Sequence, residues 1–301
     1  LQRIQRISRM RLGLRIDVDT FRGTRDGIPE LLRILDARGI RASFFLTVGP
    51  DNMGRHLRRL LRPTFLRKML RSKAASTYGW DILLRGTIWP GPIIHRRLGD
   101  RLRSIDQAGH EVGMHAWDHH RWQVAAHRLP EELVLREITQ AHQAITDTLG
   151  RPPTCTAAPG WRCTPEILAL REGLGYHFAS DCRGHGAFQP SHGPPQICVN
   201  LPTWDEAVGE AGIDDANFND HLRSCMQEDD LDVLTIHAES EGGAKAALFE
   251  EFLDRFMADG GEVVPLGDLI PSNPEPGEIE RGHIPGRDGW LAVRGPNLTS
   301  P

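Results

Sequence analysis

Five residues of this chain have the types and spacing of a metal-dependent hydrolytic site. Asp17 and Asp19 end a short apolar stretch, and His115 and His119 form a His-x-x-x-His pair further along. One carboxylate and two imidazoles, here Asp19 and the pair, are a usual ligand set for a divalent metal with an open position. Asp17 is then free to act as a base on water, and His237, which follows an apolar run, as an acid for a leaving amine. The pattern predicts a metal hydrolase.

Local periodicity places these side chains close enough together to share one metal site. Side chains alternate along a strand, so Asp17 and Asp19 share a face, and a helical turn would bring His115 and His119 to one metal. The alternative interpretation is that the two acids cap turns and that the histidines are polar surface residues without a metal. For His237 the alternative is a hydrogen-bonded core histidine. The three parts together favour the metal site.

Composition indicates a loop-rich globular enzyme of 301 residues with a net charge of −4, 39% hydrophobic residues, 31 Gly and 21 Pro. Five cysteines without Cys-x-x-Cys spacing argue against a disulfide framework or a zinc cluster and suit a reducing cytoplasm. No apolar run approaches the ~18 residues of a membrane span. Residues 1–9 lack the apolar core of a signal peptide, and we interpret them as an extraneous extension.

The sites must be positioned by alternating strands and helices. Apolar stretches predict strands, whereas helical periodicity with Gly or Pro punctuation predicts the helices between them. The predicted strands are 12–18, 42–48, 111–114, 154–158, 197–200, 233–237 and 262–265, and the helices are 28–38, 97–108, 130–149, one from 164, and 245–258. This order implies an α/β fold with a parallel sheet, whose strand ends carry the site. One domain is expected over 10–270, followed by a disordered tail over 271–301.

These residues resemble the polysaccharide deacetylase, or NodB-homology, family. The first motif of the family is matched by Ile16-Asp17-Val18-Asp19, the second by His115 and His119, and the last by Leu234 to His237. The resemblance implies a distorted (β/α) barrel of about seven strands and the hydrolysis of an N-acyl sugar. It also implies one divalent cation, of which zinc, cobalt, manganese and nickel all suit the ligands.

The third motif of the family is only partly present. It survives as Ala157-Ala158-Pro159-Gly160-Trp161-Arg162, without the arginine that normally steadies the base. Arg162 or Arg183 is our prediction for its replacement. Trp161, Arg162, Asp181 and Arg183 are predicted to bind substrate or to support the site.

A closer resemblance is to a subgroup of the family that acts on a lipid-linked amino sugar. It extends over non-catalytic stretches, from about residue 10 to about residue 270, and includes 13–25, 49–57, 78–84, 115–121, 180–184, 201–206 and 235–239. It implies removal of formate from 4-deoxy-4-formamido-L-arabinose on undecaprenyl phosphate, in lipid A modification and polymyxin resistance. The alternatives are deacetylation of chitin or peptidoglycan, and a lipid-binding scaffold protein without turnover.

Residues 53–75 form a basic segment, which lies within a predicted insertion at about 53–95. It carries eight Lys and Arg residues interleaved with apolar ones and no acid, whereas 205–241 is strongly acidic. Such a segment could bind an anionic membrane surface. The alternative is a helix with a charged, solvent-exposed face and an ordinary apolar stripe toward the core. Nucleic acid is disfavoured because Phe65 is the only aromatic residue there. We predict a cytoplasmic protein, peripheral on the inner membrane, whose membrane-binding residues are Arg58, Arg59, Arg62, Arg67 and Lys68.

Overall fold

The computed structural model describes residues 10–55, 91–226, 231–284, 287 and 289–295. The predicted extension over 1–9 and the predicted membrane-binding residues Arg58, Arg59, Arg62, Arg67 and Lys68 lie outside the described residues. The strands are β1 (Arg11–Val18), β2 (Ser43–Thr47), β3 (Glu111–Ala116), β4 (Cys155–Thr156), β5 (Phe178–Ala179), β6 (Ala187–Gln189), β7 (Gln196–Ile197), β8 (Asp232–His237), β9 (Glu262–Val264), β10 (Glu275–Pro276), β11 (Ile279–Gly282) and β12 (Leu291–Arg294).

Helices connect most of these strands, as the alternating pattern predicts. The α-helices are α1 (Ile28–Asp36), α2 (Ile94–Gln107), α3 (His119–Ala125), α4 (Glu131–Leu149), α5 (Pro165–Ala169), α6 (Trp204–Ala207), α7 (Phe218–Cys225) and α8 (Ala246–Ala258). Short π and 3-10 turns lie at Gly23–Gly27, Ala126–Arg128, Pro159–Trp161, Ser240–Ala244 and Leu266–Leu269. The predicted elements are all found, mostly with ends shifted by one to three residues, as is usual where helices and strands fray.

One ten-stranded sheet organises the described part of the chain. Its order is β10-β6-β7-β5-β4-β3-β2-β1-β8, and β9 pairs with the beginning of β1. All neighbouring pairs are parallel except β6 with β7. Since β8 and β10 lie at the two ends of this order, the barrel is incomplete. The predicted distorted α/β barrel is confirmed as a class, but its strands outnumber the expected seven.

The central strands separate two apolar cores because their side chains alternate. On β1, Leu12, Leu14, Ile16 and Val18 belong to the larger core, which also contains the buried faces of the helices. The other face points into the barrel, where Phe45, Val233 and Trp161 belong to the smaller core. Arg15 and Asp17 occupy this inner face, so polar groups in the barrel must find partners there.

The prediction of a disordered tail from residue 271 is wrong for the described residues. Strand β10 pairs with β6, and β11 and β12 form an antiparallel pair. Leu291 and Ala292 are fully buried, and the backbone of β12 hydrogen-bonds to both sides of Arg183. Composition suggested disorder because the segment is polar and rich in Pro and Gly, yet the pairing of β10 with β6, of β11 with β12 and of β12 with Arg183 supplies partners for its backbone.

Candidate metal centre and active site

Three predicted ligands meet at the carboxyl ends of β1 and β3, which lie on either side of β2. Asp19 follows β1, His115 lies in β3, and His119 is the first residue of α3. His115 Nε2 lies 3.2 Å from Asp19 Oδ1, and His119 Nε2 lies 3.2 Å from Asp19 Oδ2. All three residues are buried, and one ligand atom from each lies within 4.8 Å of the others. The structure thus brings the predicted ligand set together.

The route to this geometry differs from the prediction of a helical turn. Strand β3 continues to Ala116, so His115 is a strand residue, and the chain turns before α3 begins at His119. The Asp118 side chain caps α3 by accepting the Arg121 N–H at 3.0 Å. The two histidines therefore converge across a strand–helix junction, with ring centroids 5.3 Å apart.

The hydrogen bonding of the ligands fits a bound cation. His115 Nδ1 donates to Ala157 O over 2.7 Å, so Nε2 is the ring nitrogen that faces Asp19 Oδ1. Neither of these two buried atoms has a hydrogen-bond partner in the described part of the chain. A cation bound between them would interact favourably with both the imidazole nitrogen and the carboxylate oxygen, which lie 3.2 Å apart. A carboxylate and two imidazoles suit a divalent transition metal.

The charges of these ligands are strongly coupled. Burial raises the pKa of the Asp19 carboxyl, but His119 and His115 outweigh it and hold that pKa well below its usual value. Burial lowers the pKa of His119, but the charge of Asp19 outweighs burial, so the pKa of His119 is raised overall. Asp19 is therefore an anion at neutral pH, which is the form that binds a cation.

Asp17 lies beside this centre and is held by an arginine that our sequence analysis did not identify. Arg15 donates from Nε to Asp17 Oδ1 and from Nη2 to Asp17 Oδ2, both over 2.7 Å, and is fully buried. Burial raises the pKa of Asp17, but the charges of Arg15 and His115 lower it to a net decrease. The carboxylate is thus fixed in one orientation, 3.7 Å from His115 Nε2.

The predicted replacements for the missing third-motif arginine are therefore wrong. Arg183 donates to Glu206 over 2.9 Å, and Arg162 stacks on Trp290 with Cζ 5.0 Å from the ring centre. Arg15 instead holds the predicted base, Asp17, from the same strand and two residues before it. A charged residue inside an apolar strand, on the face of Asp17, was the signal that could have identified it.

Asp181 supports the loop that carries the third motif. Its carboxylate accepts the Ala158 N–H over 2.7 Å and pairs with the fully buried Arg171 over 2.6 Å. The neighbouring carbonyl of Ala157 is the one that accepts the His115 N–H. Trp161 follows in this loop with a φ of +54°, a strained conformation for a residue other than glycine. Asp181 therefore acts on the site through the backbone.

His237 ends β8 directly opposite Asp17, its partner in the parallel pairing of β1 with β8. Burial lowers the pKa of its imidazole, but the charges of Asp19, Asp205 and Asp17 outweigh it and raise the pKa. The protonated form, which can donate to a leaving group, is thereby favoured. Asp205 stands out only in the structure, because nothing near it in the sequence relates it to His237.

Glu239 is a second residue that our sequence analysis did not identify. One carboxylate oxygen accepts the backbone N–H groups of Asp19 and Thr20 over 2.9 and 2.6 Å. Burial and the nearby Asp19 charge raise the pKa of Glu239 to about 7. Glu239 therefore fixes the backbone of the candidate metal ligand Asp19, and its place two residues after His237 was the available signal.

The fold and this centre define a class of amide-cleaving hydrolases. The family model of polysaccharide deacetylase matches residues 16–179, more than half of the chain. The chain belongs to the polysaccharide deacetylase family. A solved structure of a probable polysaccharide deacetylase from Pseudomonas aeruginosa has the same fold, with a TM-score of 0.60 at 14% identity, over 87% of this chain and 90% of that one.

Two relatives are much more similar in sequence. A protein of Shewanella sediminis, named a probable 4-deoxy-4-formamido-L-arabinose-phosphoundecaprenol deformylase ArnD, is 50% identical over 286 residues, covering 94% of each chain. A protein of Wigglesworthia glossinidia brevipalpis with the same name is 38% identical, over 90% of this chain and 98% of its own. Since residues 1–270 are less than 94% of the chain, the first match extends beyond residue 270, the predicted end of the similarity.

Proposed function

We propose that this protein is a metal-dependent hydrolase that removes formate from 4-deoxy-4-formamido-L-arabinose linked to undecaprenyl phosphate. The reaction would serve lipid A modification and resistance to polymyxin. The observation that carries the proposal is 50% identity to a protein named as this deformylase, over 94% of both chains. The buried centre of Asp19, His115 and His119 beside Asp17 and His237 supplies the chemistry.

The ligands in this proposal are Asp19, His115 and His119. A divalent cation, when bound there, supplies Lewis acidity for the formyl carbonyl and for the attacking water. Asp17 accepts a proton from that water as its oxygen bonds to the formyl carbon. His237 gives a proton to the sugar nitrogen as the carbon–nitrogen bond breaks, so the products are formate and the free amine.

The third-motif loop is the place for an oxyanion donor. The N–H groups of Trp161 and Arg162 already donate to Ala158 O and Pro159 O within the loop, so neither is free for substrate. We therefore propose another backbone N–H of this loop, near Trp161, as the oxyanion donor.

Mass spectrometry of the lipid-linked sugar tests the proposed reaction. Purified protein is incubated with the formamido-arabinose lipid and with zinc, cobalt, manganese or nickel in turn. The sugar should lose one formyl group, equal in mass to CO, and formate should accumulate in the same amount. Deacetylation of N-acetylglucosamine oligomers with an unchanged formamido lipid would instead identify a polysaccharide deacetylase.

Replacing His237 with alanine should lower kcat by about 10²-fold or more, the usual effect of removing a positioned acid. The metal content should stay at the parental level, because His237 is not among the three ligands. Both quantities are measured on one preparation, by formate release and by elemental analysis. Turnover of His237→Ala at the parental rate would show that another group protonates the amine.

A membrane surface is the proposed partner, since the substrate lipid is anchored in the inner membrane. Among the described residues no helix is long and apolar enough to cross a membrane. The acid-free basic segment over 53–75 is the candidate for contact with the inner leaflet. At ~1 kcal/mol per Lys or Arg near an anionic surface, half of its eight cations would give appreciable, salt-sensitive binding.

The protein should therefore co-sediment with anionic vesicles and much less with neutral ones. Glutamine at Arg58, Arg59, Arg62, Arg67 and Lys68 should release it and slow turnover of the full lipid, but not of a short soluble analogue. A matched control replaces exposed cations of helix α2, namely Arg96, Arg97 and Arg101. Equal losses on both substrates would mean that the segment shapes the active site and does not dock a membrane.

A further inference from the structure

The C-terminal hairpin, defined here as the described residues 279–284, 287 and 289–295, packs against the active-site loop. The Arg183 N–H donates to Ala292 O, and the Arg294 N–H donates to Arg183 O, both over 2.9 Å. Trp290 packs on Arg162, and a Cβ at Gly289 would lie 2.8 Å from an Arg162 nitrogen. The hairpin is thus fixed against the loop that carries the third motif.

This anchoring places Arg287 at the wall of the active site. Its Nε lies 2.6 Å from Glu206 Oε1, and its Cζ lies 4.4 Å from the centre of the Trp161 ring. The same ring lies 5.2 Å from Cζ of Arg15, which holds Asp17. Arg287 is therefore separated by one indole ring from the pair that contains the proposed base.

Glu206 accepts hydrogen bonds from both Arg183 and Arg287. All three guanidinium nitrogens of Arg183 have acceptors, whereas only Nε of Arg287 has one among the described residues. Arg183 donates to Val199 O and Leu201 O and to both oxygens of Glu206, so its guanidinium is fully engaged. Burial raises the pKa of Glu206, but Arg183 and Arg287 outweigh it and hold the pKa at about 2. The Asp205 carboxylate also lies near Arg287, so the two guanidinium groups of this wall face two carboxylates.

Two donors on this wall have no acceptor in the described part of the chain. Arg287 gives only Nε to Glu206, while its terminal nitrogens donate to no described residue and its side chain is 15% exposed. The Trp161 Nε1–H is buried and likewise without a partner. A buried donor left unpaired is destabilising, so an acceptor from a ligand would stabilise this wall.

We infer that Arg287, whose side chain is partly exposed beside the Trp161 ring, forms a subsite for the phosphate of the substrate. This inference rests on the proposed function. The formamide and the sugar hydroxyls are neutral, so the phosphodiester is the anionic group of that substrate that a guanidinium would select. The two free terminal nitrogens of Arg287 have the fork geometry that binds two phosphate oxygens.

Arg287→Gln and Arg287→Lys test the subsite on two soluble substrates. One is formamido-arabinose joined through a phosphodiester to a short isoprenyl chain, and the other is its methyl glycoside. Arg287→Gln should raise KM for the phosphodiester by about 10- to 100-fold, the range for a lost hydrogen bond to a charged group, with little change in kcat. Arg287→Lys should lie between, and the methyl glycoside should show parental kinetics.

Arg294→Gln is the matched control, because Arg294 belongs to the same hairpin but donates to His185 O and stacks on Phe188. It should leave KM for the phosphodiester unchanged. Equal losses of Arg287→Gln on both substrates, or none on either, would overturn the inference. Calorimetric binding of a short isoprenyl phosphate, weakened by Arg287→Gln, supports the subsite even where the parental protein releases no formate, a result that would reject only the proposed reaction.

Discussion

Replacing His115 or Asp19 with alanine is expected to abolish both metal binding and formate release. His115 Nε2 lies 3.2 Å from Asp19 Oδ1 and His119 Nε2 lies 3.2 Å from Asp19 Oδ2, so one buried cation could contact all three residues. Loss of one preorganised electrostatic group costs about 10²–10³ in kcat, and loss of the cation should cost at least as much. Chelation of the parental protein should have the same effect, and a divalent metal should reverse it.

Metal content by elemental analysis is the primary measurement, with formate release on the same samples. His142→Ala is the matched control, because this histidine bonds to the hydroxyl of Tyr176 over 3.0 Å on helix α4. It should retain the metal and parental turnover. Full activity in a metal-free preparation would exclude the metal mechanism for this chain.

Replacing Asp17 with asparagine is expected to leave the metal bound and to lower kcat by about 10²-fold or more. Arg15→Gln should also lower kcat, since the bidentate contact over 2.7 Å fixes the orientation of the carboxylate. Arg15 acts only through Asp17 in this scheme. The double variant should therefore be no slower than Asp17→Asn alone, a non-additive result that steady-state kinetics would measure.

Stability provides an independent measurement of the same pair. Both side chains are buried, and removing one partner of a buried ion pair costs about 3–5 kcal/mol of unfolding free energy because the other charge remains unpaired. Each single variant should unfold at lower denaturant concentration, whereas the neutral double variant should recover part of the loss. Additive effects on kcat would show instead that Arg15 contacts the substrate or shapes the site independently.

The sequence alone was enough to predict the central strands, the long helices and the main residues of the site. Periodicity placed Asp17 and Asp19 on one face at the end of β1, and strand ends of a parallel sheet meet at one edge. Spacing also predicted that His115 and His119 would converge. These features are local, because each depends on a few neighbouring residues whose pattern reports which face of an element is buried.

Only the tertiary structure showed what holds and completes this site. From the sequence, the arginine that holds Asp17 was predicted at the wrong positions, and disorder was predicted for the segment that carries Arg287. The contacts that decide both are pairings between residues distant in sequence, such as Arg287 with Glu206 and β12 with Arg183. Such pairings have no local periodicity, because an ion pair or an added strand depends on the position of the partner and not on the residues beside it in the chain.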